Sequence, residues 1–209
     1  MSRREHLIVF AREPRVGAVK RRLSKGLGAV AATFWYRRQL SGLLRRLASR
    51  TGGGPATWRR HLFVTPRGAR RGGIWPRGWI LHAQAGGDLG ERMHAALASV
   101  GTGPAVLVGS DIPDIRPRHI RAAFRALGQA DVVLGPAADG GYWLIGFKRR
   151  PRILDVFNNI RWSSSHTMKD TIRNIEAKIH QPRIKLLEQL NDIDDIASYQ
   201  KAQNKRLRK

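Results

Sequence analysis

The feature that most constrains the fold is a series of short, apolar, β-branched runs separated by longer segments of helical pattern. The clearest runs are residues 6–11, 105–109, 131–135 and 142–147, and each has the length and composition of a buried strand. The longest helical segment is 29–48, where apolar residues recur at helical spacing. Strands that alternate with helices predict an α/β protein with a layered, mostly parallel central sheet.

The same patterns assign the remaining elements. Further strands are predicted at 61–65, 79–82 and 184–187, and further helices at 90–100, 117–127 and 163–179. Loops are predicted at 12–23 and 66–78, because these segments are polar and contain glycine and proline. The helix at 29–48 is predicted to bury an apolar face made of Val30, Phe34, Leu40, Leu43, Leu44 and Leu47.

The length of 209 residues suits one domain, which we place at 1–200, with a basic C-terminal tail at 201–209. The chain has no cysteine, which excludes a disulfide scaffold, a cysteine–zinc site and a cysteine nucleophile. Its longest apolar runs are shorter than the roughly 18–20 residues of a membrane span, and the basic N-terminus lacks the h-region of a signal peptide. We therefore expect a cytoplasmic protein without a membrane span.

The charge is large and uneven. The net charge is +24, of which 1–80 carry +17, 81–147 carry −1 and 148–209 carry +8. A basic surface attracts polyanions, so nucleic acid, anionic membrane and phosphorylated small molecules are candidate partners. No zinc-finger spacing, aromatic RNA-binding signature or basic region leading into heptads supports nucleic acid. The pairs Arg37-Arg38 and Arg45-Arg46 are interpreted as a solvated helix face.

Three loops that directly follow strands carry candidate chemistry, because ligands of open α/β sheets bind beyond the carboxyl ends of the strands. The first contains Gly17 and the cations Lys20, Arg21 and Arg22, which suit phosphate, although it is neither a Walker A nor a dinucleotide-binding loop. The second places Asp111 at the end of the strand at 105–109, where a carboxylate can hold a divalent cation.

Two aspartates are open to a structural interpretation. Asp114, which precedes the helix at Pro117, is better suited to capping that helix than to metal binding. Asp139 lies in an Asp-Gly-Gly string between two strands, and it is either part of a plain hairpin turn or a group on the acceptor side of the crevice.

Taken in order, these segments resemble a known family. The matching strings lie at 10–23, 87–93, 109–113, 135–146, 162–163 and 192–194. The most specific are Asp-Leu-Gly-Glu-Arg-Met at 88–93 and Asp-Gly-Gly-Tyr at 139–142. Over about residues 6–196 the chain resembles bacterial GT-A-like glycosyltransferases of the nucleotide-diphospho-sugar transferase superfamily, some of them linked to arsenosugar biosynthesis. It is also similar to the guanylyltransferases of deazaflavin-cofactor assembly and to molybdenum-cofactor nucleotidyltransferases.

The resemblance implies a three-layer, Rossmann-like GT-A fold and a set of site residues. It implies nucleotide and phosphate binding by Gly17, Lys20, Arg22, Asp88, Arg92 and Ser110. It implies Mg²⁺ or Mn²⁺ coordination by Asp111, Asp194 and Asp192, and an acceptor or sugar side at Gly140, Gly141 and Tyr142. Two strings depart from the family: Arg21 replaces a threonine, and Asp195-Ile196 replace a Thr-Pro pair after Asp194.

Three functions remain open. The resemblance favours a glycosyltransferase that moves a sugar from a nucleotide diphosphate sugar to a small acceptor, with Asp111 and Asp139 as catalytic residues. The cationic loop favours a nucleotidyltransferase, in which a nucleoside triphosphate releases pyrophosphate. His82 and His94 are weaker candidates than Asp139 for a general base. The third function is polyanion or nucleic-acid binding on an inherited fold, which would be indifferent to metal and to nucleotides.

Overall fold

A computed structural model describes residues 4–48, 58–148 and 154–207. In these segments the strands are β1 (Glu5–Arg12), β2 (Trp58–Thr65), β3 (Ile80–Ala83), β4 (Ala105–Gly109), β5 (Val132–Pro136), β6 (Tyr142–Phe147) and β7 (Ile184–Leu186). The helices are α1 (Arg21–Leu27), α2 (Ala29–Ala48), α3 (Leu89–Ser99), α4 (Pro117–Leu127), α5 (Thr167–Lys178) and α6 (Ile196–Leu207), and a 3₁₀ helix covers Arg67–Arg71.

The strands form one sheet in the order β3-β2-β1-β4-β6-β5-β7. Neighbouring strands are parallel from β3 to β4, and β5 is parallel to β7, while β6 runs antiparallel to both β4 and β5. The predicted α/β fold with a mostly parallel sheet is therefore confirmed. The carboxyl ends of β1, β2, β3 and β4 lie at the same edge of this sheet, which is where α/β proteins bind ligands.

Alternate residues of the central strands enter two separate cores. Leu7 and Val9 of β1 pack in a cluster that also contains buried side chains of α2 and α4. Ile8, between them in sequence, joins a second cluster with buried side chains of α3 and α5. Because the side chains of a strand alternate between its faces, both faces of β1 are covered, and this explains its continuous apolar sequence.

Most predicted elements are confirmed, with small shifts at their ends, and three expectations are wrong. Helix α1 begins at Arg21, within the loop that was predicted at 12–23. Val30 and Phe34 are exposed by 57% and 65%, so they are not part of the buried face of α2. Helix α5 begins at Thr167 rather than at 163, because Ser163 has a left-handed backbone with φ of 57° that no helix accommodates.

Helix α6 continues through residue 200, where the sequence placed the end of the domain. The division into a domain at 1–200 and a tail at 201–209 stays a prediction. Among the described residues, no helix is both long and apolar enough to cross a membrane.

Candidate functional site

A cavity of about 480 Å³ opens beyond the carboxyl ends of β1 and β4. Its walls combine cations, carboxylates and neutral polar groups with apolar surface. They are formed by Phe10, Ala11, Arg12, Ala18, Val19, Lys20, Arg21, Arg22, Tyr36, Thr65, Gln84, Leu89, Gly109, Ser110, Asp111 and Asp194. The volume lies in the roughly 300–1,000 Å³ range of small-molecule sites.

Lys20 is the centre of this site. Its Nζ lies 2.7 Å from Oδ1 of Asp194 and 3.2 Å from Oδ1 of Asp111, and its side chain is only 5% exposed. Burial by itself disfavours the ammonium, but the two carboxylates outweigh that effect and raise the pKa of Lys20. The ammonium is therefore fixed as a buried cation between two carboxylates.

The backbone at Lys20 explains how the side chain reaches that position. The residue adopts a left-handed conformation with φ of 50° as the N-cap of α1, an unusual state for a residue with a Cβ. Gly17, three residues earlier, also has positive φ, at 75°, which glycine adopts without strain. These two turns fold the loop back over the sheet, and Arg12 supports it through a 3.2 Å hydrogen bond from its guanidinium to the carbonyl of Ala18.

Asp111 lies just beyond the end of β4, between the buried Ser110 and a backbone contact from Ile193. The adjacent Ser110 is buried, and its hydroxyl lies 2.9 Å from the hydroxyl of Tyr36. Tyr36 also accepts a 3.1 Å hydrogen bond from the backbone N–H of Arg12. The backbone N–H of Ile193 contacts the carbonyl of Asp111 at 3.4 Å, which brings the late Asp-x-Asp string to β4.

Asp192 adds a further carboxylate to this region. Burial is the largest of the effects that raise the pKa of Asp192. The charges of Asp194, Asp139 and Asp111 raise it further, and the charge of Lys20 lowers it. The charges of Asp111, Asp139 and Asp194 are thus felt at Asp192. These four of the five aspartates predicted for the site are close enough to interact, although they come from three separate parts of the chain.

Carboxylate oxygens are the ligands that Mg²⁺ and Mn²⁺ prefer, so the donor atoms of Asp111, Asp192 and Asp194 fit such an ion in kind. Among the described residues, no group of three or more acidic or histidine side chains is already arranged around one point. Lys20 now neutralises two of the three expected ligands.

Arg22 lies on the first turn of α1 and contacts Asp194, with Nη2 3.5 Å from Oδ2. Its side chain is 71% exposed, so this contact leaves it available to solvent and ligands. The structure thus brings Lys20, Arg22, Ser110, Asp111 and Asp194 together, and all five line the cavity.

The other predicted site residues are not among those that line the described cavity. They are Gly17, Asp88, Arg92, Asp139, Gly140, Gly141, Tyr142 and Asp192. Asp88 forms the predicted cap of α3: its carboxylate accepts from the N–H of Glu91, and the Glu91 carboxylate accepts from the N–H of Asp88. Arg92 bonds the carbonyl of Asp88 at 3.0 Å and reaches toward Gln84, a cavity residue.

The structure shows the turn that was one of the two interpretations of Asp139, and its acceptor-side role stays a prediction. Its Oδ1 accepts a 3.0 Å hydrogen bond from the N–H of Gly141, which is a turn contact. Gly140 has φ of 84°, and a Cβ there would collide with the backbone of Ser165, so the turn is pressed against the segment that precedes α5. Tyr142 points its hydroxyl toward Thr171 of α5 at 3.4 Å, and burial raises its pKa.

The prediction that Asp114 caps α4 is wrong. The N-cap is Arg116, whose backbone N–H donates to Nδ1 of His119 at 3.1 Å. The side chain of Asp114 is 50% exposed and lies 3.8 Å from the Arg116 guanidinium. Pro117 is the first residue of α4, a position that proline favours. A helix capped by Asp114 would have to begin two residues earlier.

Several cavity residues were not predicted as site residues, among them Tyr36, Gln84 and Arg12. Tyr36 lay outside the apolar face predicted for 29–48, and Gln84 followed a short strand without a motif. Arg12 is one of 39 Lys and Arg residues, so its type carried no signal. Only Gln84, as the first residue beyond the end of a strand, had a position that pointed to the site.

Comparison with known proteins gives a family and a fold. The family model described as "Uncharacterized protein conserved in bacteria (DUF2064)" matches residues 50–164. No curated protein matches the chain. A crystal structure from Desulfovibrio desulfuricans G20, provisionally named a nucleotide-diphospho-sugar transferase, is 31% identical with a TM-score of 0.80, covering 91% of this chain and 82% of that one.

Two more distant structures share the fold. A CMP:2-keto-3-deoxy-manno-octonic acid synthetase complexed with CTP has a TM-score of 0.58 at 11% identity, covering 98% of this chain and 99% of that one. Rv0371c of Mycobacterium tuberculosis H37Rv, in complex with manganese, has a TM-score of 0.53 at 17% identity, covering 96% and 98%. The predicted likeness to the nucleotide-diphospho-sugar transferase superfamily is therefore confirmed.

Proposed function

This chain belongs to the DUF2064 family of bacterial proteins, and we propose that it is a metal-dependent glycosyltransferase acting on a nucleotide diphosphate sugar. The acceptor would be a small molecule. The three-layer GT-A class and a cytoplasmic location are part of the same proposal. The observation that carries it is the pairing of buried Lys20 with Asp111 and Asp194 in a cavity at the carboxyl ends of β1 and β4.

A diphosphate fits this cavity on electrostatic grounds. The wall of the cavity contains three consecutive cations, Lys20, Arg21 and Arg22. It also contains Arg12, the last residue of β1. Guanidinium and ammonium groups bind phosphate oxygens through charge-assisted hydrogen bonds, which are stronger than neutral ones. Arg22 is available to a ligand, because most of its side chain is exposed.

The carboxylates beside these cations suit a bound Mg²⁺ or Mn²⁺. Asp111, Asp194 and Asp192 would hold the ion, which would neutralise charge on the leaving diphosphate. The manganese complex of Rv0371c, a protein of the same fold, supports this choice of metal. Lys20 would then balance the charge of the carboxylates and of the phosphates together.

The turn at Asp139 is the proposed acceptor side. Its charge interacts with Asp192, so the turn borders the acidic part of the site, and Asp139 would accept the proton of the attacking hydroxyl. The tight packing of Gly140 on Ser165 keeps this turn in place. Gly141 and Tyr142 would contact the acceptor or the sugar.

Nucleotidyl transfer is the second candidate. In that reaction a phosphate oxygen attacks the α-phosphorus of a nucleoside triphosphate, and pyrophosphate leaves. The run of three cations at 20–22 favours it, since a triphosphate carries more negative charge than a nucleotide sugar. The structurally similar synthetase was solved with CTP, a substrate of this type.

Product analysis separates the two reactions. The protein is incubated with Mn²⁺ and with pools of nucleotide sugars or nucleoside triphosphates plus small hydroxyl and phosphate acceptors. Release of a nucleoside diphosphate from a nucleotide sugar supports glycosyl transfer. Release of pyrophosphate from a triphosphate instead shows nucleotidyl transfer and overturns the glycosyltransferase proposal. Asp111→Asn is expected to abolish release, and Asp114→Asn serves as the matched control because it removes a neighbouring exposed carboxylate.

Polyanion binding without catalysis is the third candidate, and the net charge of +24 favours it. It requires salt-sensitive binding of DNA or RNA that is unaffected by Mn²⁺ and by nucleotides. Such binding, together with no product from either donor pool, would replace the enzyme proposal.

A further inference from the structure

A second cavity, of about 330 Å³, lies beside the ends of β2 and β3 and is lined by three arginines. Its walls are formed by Arg67, Gly68, Arg70, Arg71 and Ala83. We propose that this cavity is an anion site that binds a phosphoryl group of a small phosphorylated molecule. The site is separate from the cavity around Lys20, and it does not depend on the reaction proposed above.

In the part of the chain that the structure describes, no carboxylate neutralises the three guanidinium groups. Within the described segments, none of Arg67, Arg70 and Arg71 makes an ion pair or a side-chain hydrogen bond. The sequence supplies no acidic residue between Glu13 and Asp88. Like charges that converge on one cavity repel each other, so a bound anion would relieve an unfavourable arrangement.

Among the described residues, Glu13 supplies the carboxylate that lies beside this loop, and it is already paired. A Cβ on Gly72 would lie 3.6 Å from its Oε1, while its Oε2 lies 2.6 Å from Nε of Arg15. Burial lowers the pKa of His82 on β3, and the charge of the exposed residue Arg70 lowers it further. The cavity therefore keeps its positive charge.

The loop that carries the arginines is anchored to the core. Ala69, in the middle of the 3₁₀ helix, is only 1% exposed and packs in the core cluster. Its carbonyl accepts a 2.7 Å hydrogen bond from the indole N–H of Trp75 and a 3.1 Å bond from the N–H of Gly72. The flanking guanidinium groups are thus presented from a fixed backbone, which lowers the entropy lost when a ligand is bound.

The ligand class follows from the shape and the chemistry of the cavity. Guanidinium groups match the oxygens of phosphate bidentately, and several of them around one cavity match a dianion better than a monoanion. The volume is near the lower end of ligand pockets, roughly 300–1,000 Å³, which suits a small molecule. A nucleic-acid backbone would instead require cations spread along an extended surface.

Arginine footprinting of the whole protein tests this site. Phenylglyoxal modification is followed by peptide mass spectrometry, at constant ionic strength, with inorganic phosphate or pyrophosphate and with chloride as reference. We expect phosphate to slow modification of Arg67, Arg70 and Arg71 several-fold, while the exposed arginines of α2 at 37, 38 and 45 react at an unchanged rate. The proposal is overturned if phosphate slows the modification of both groups of arginines equally. It is also overturned if phosphate does not slow the modification of Arg67, Arg70 and Arg71.

Matched variants provide the second measurement. R67Q/R70Q/R71Q and R37Q/R38Q/R45Q each remove three positive charges from exposed positions. Calorimetric pyrophosphate affinity at this site should fall about ten-fold or more in the first variant, since each charge-assisted hydrogen bond contributes about that factor, and should be retained in the second. Equal affinities in both variants overturn the proposal.

Footprinting also keeps this proposal separate from the proposed function. Protection of Arg22 without protection at 67–71 supports a ligand in the main cavity only and refutes the second site. Protection at 67–71 without protection of Arg22 supports the second site and counts against the proposed phosphate site. A short DNA duplex that protects the arginines of α2 as strongly as those at 67–71 refutes the small-molecule ligand.

Discussion

The stability of this protein should fall as the pH drops from 7 to 5, because three histidines are hydrogen-bonded in a row across the sheet. Nδ1 of His6 lies 3.0 Å from Nε2 of His61, and Nδ1 of His61 lies 3.1 Å from Nε2 of His82. Each contact needs one N–H and one lone pair, so two neighbouring rings cannot both be protonated and keep their contact. His61 is at the centre of the row and is only 4% exposed.

Burial, and then the charges of His6, His82 and Arg59, lower the pKa of His61 to about 3. In the unfolded chain a histidine has a pKa of about 6.5. Between these two values the unfolded state binds a proton that the folded state does not, so stability decreases as the pH decreases. At 1.36 kcal/mol for each unit, His61 alone should cost about 2 kcal/mol between pH 7 and pH 5.

Urea unfolding at pH 7, 6 and 5 measures this effect in the wild type and in His61→Gln. Glutamine keeps a donor and an acceptor but does not titrate, so the variant should lose about 2 kcal/mol less than the wild type over this interval. His180→Gln is the control, because His180 is exposed. The free energy of unfolding of His180→Gln should fall between pH 7 and pH 5 by the same amount as that of the wild type.

Equal losses in the wild type and in His61→Gln would refute the reasoning. That result would mean that His61 is protonated at little cost in the folded protein. A loss that is the same for His180→Gln and His61→Gln would also refute it, because the effect would then not come from the buried row.

Two further substitutions test local contacts. Tyr36→Phe removes the hydroxyl that joins the N–H of Arg12 to Ser110, and it should lower the free energy of unfolding by about 1–3 kcal/mol, measured in urea. No change would show that solvent replaces the hydroxyl. Asp88→Ala removes the carboxylate that accepts from the N–H of Glu91 and should cost about 1 kcal/mol, whereas Asp88→Asn should cost less. Equal losses in both variants would contradict a capping role.

The centre of the sheet could be predicted because β1, β4, β5 and β6 are buried on both faces and therefore have continuous apolar sequences. Residues 105–109 and 142–147 are strands with the predicted ends. Helix α1 could not be predicted, since it is only 7 residues long and buries Leu23 alone. The exposed positions of Val30 and Phe34 were missed because the buried face of α2 also uses Ala32, Thr33, Tyr36 and Gln39, which weaken the apolar pattern.

Asp111 could be proposed from its place at the end of a strand, and the structure brings it together with the predicted Lys20 and Asp194. The pairing of Lys20 with these carboxylates was not predictable, because Lys20 and Asp194 are 174 positions apart in sequence. It depends on a left-handed backbone at Lys20, which no residue pattern indicates. The cavity lined by Arg67, Arg70 and Arg71 was not predictable either, because arginine is frequent throughout the sequence.

Binding of a nucleotide-activated donor at Asp111 is the central claim, and a thermal-shift screen tests it most directly. The wild type, Asp111→Asn and Asp114→Asn are heated with nucleotide sugars and nucleoside triphosphates, with and without Mn²⁺. Ligand at about 100 times its Kd adds about 2.7 kcal/mol, which for a domain of this size is a rise in Tm of roughly 5–10 °C. We predict a Mn²⁺-dependent rise in the wild type and in Asp114→Asn that is lost in Asp111→Asn. No rise with any nucleotide, or an equal rise in Asp111→Asn, would contradict the claim.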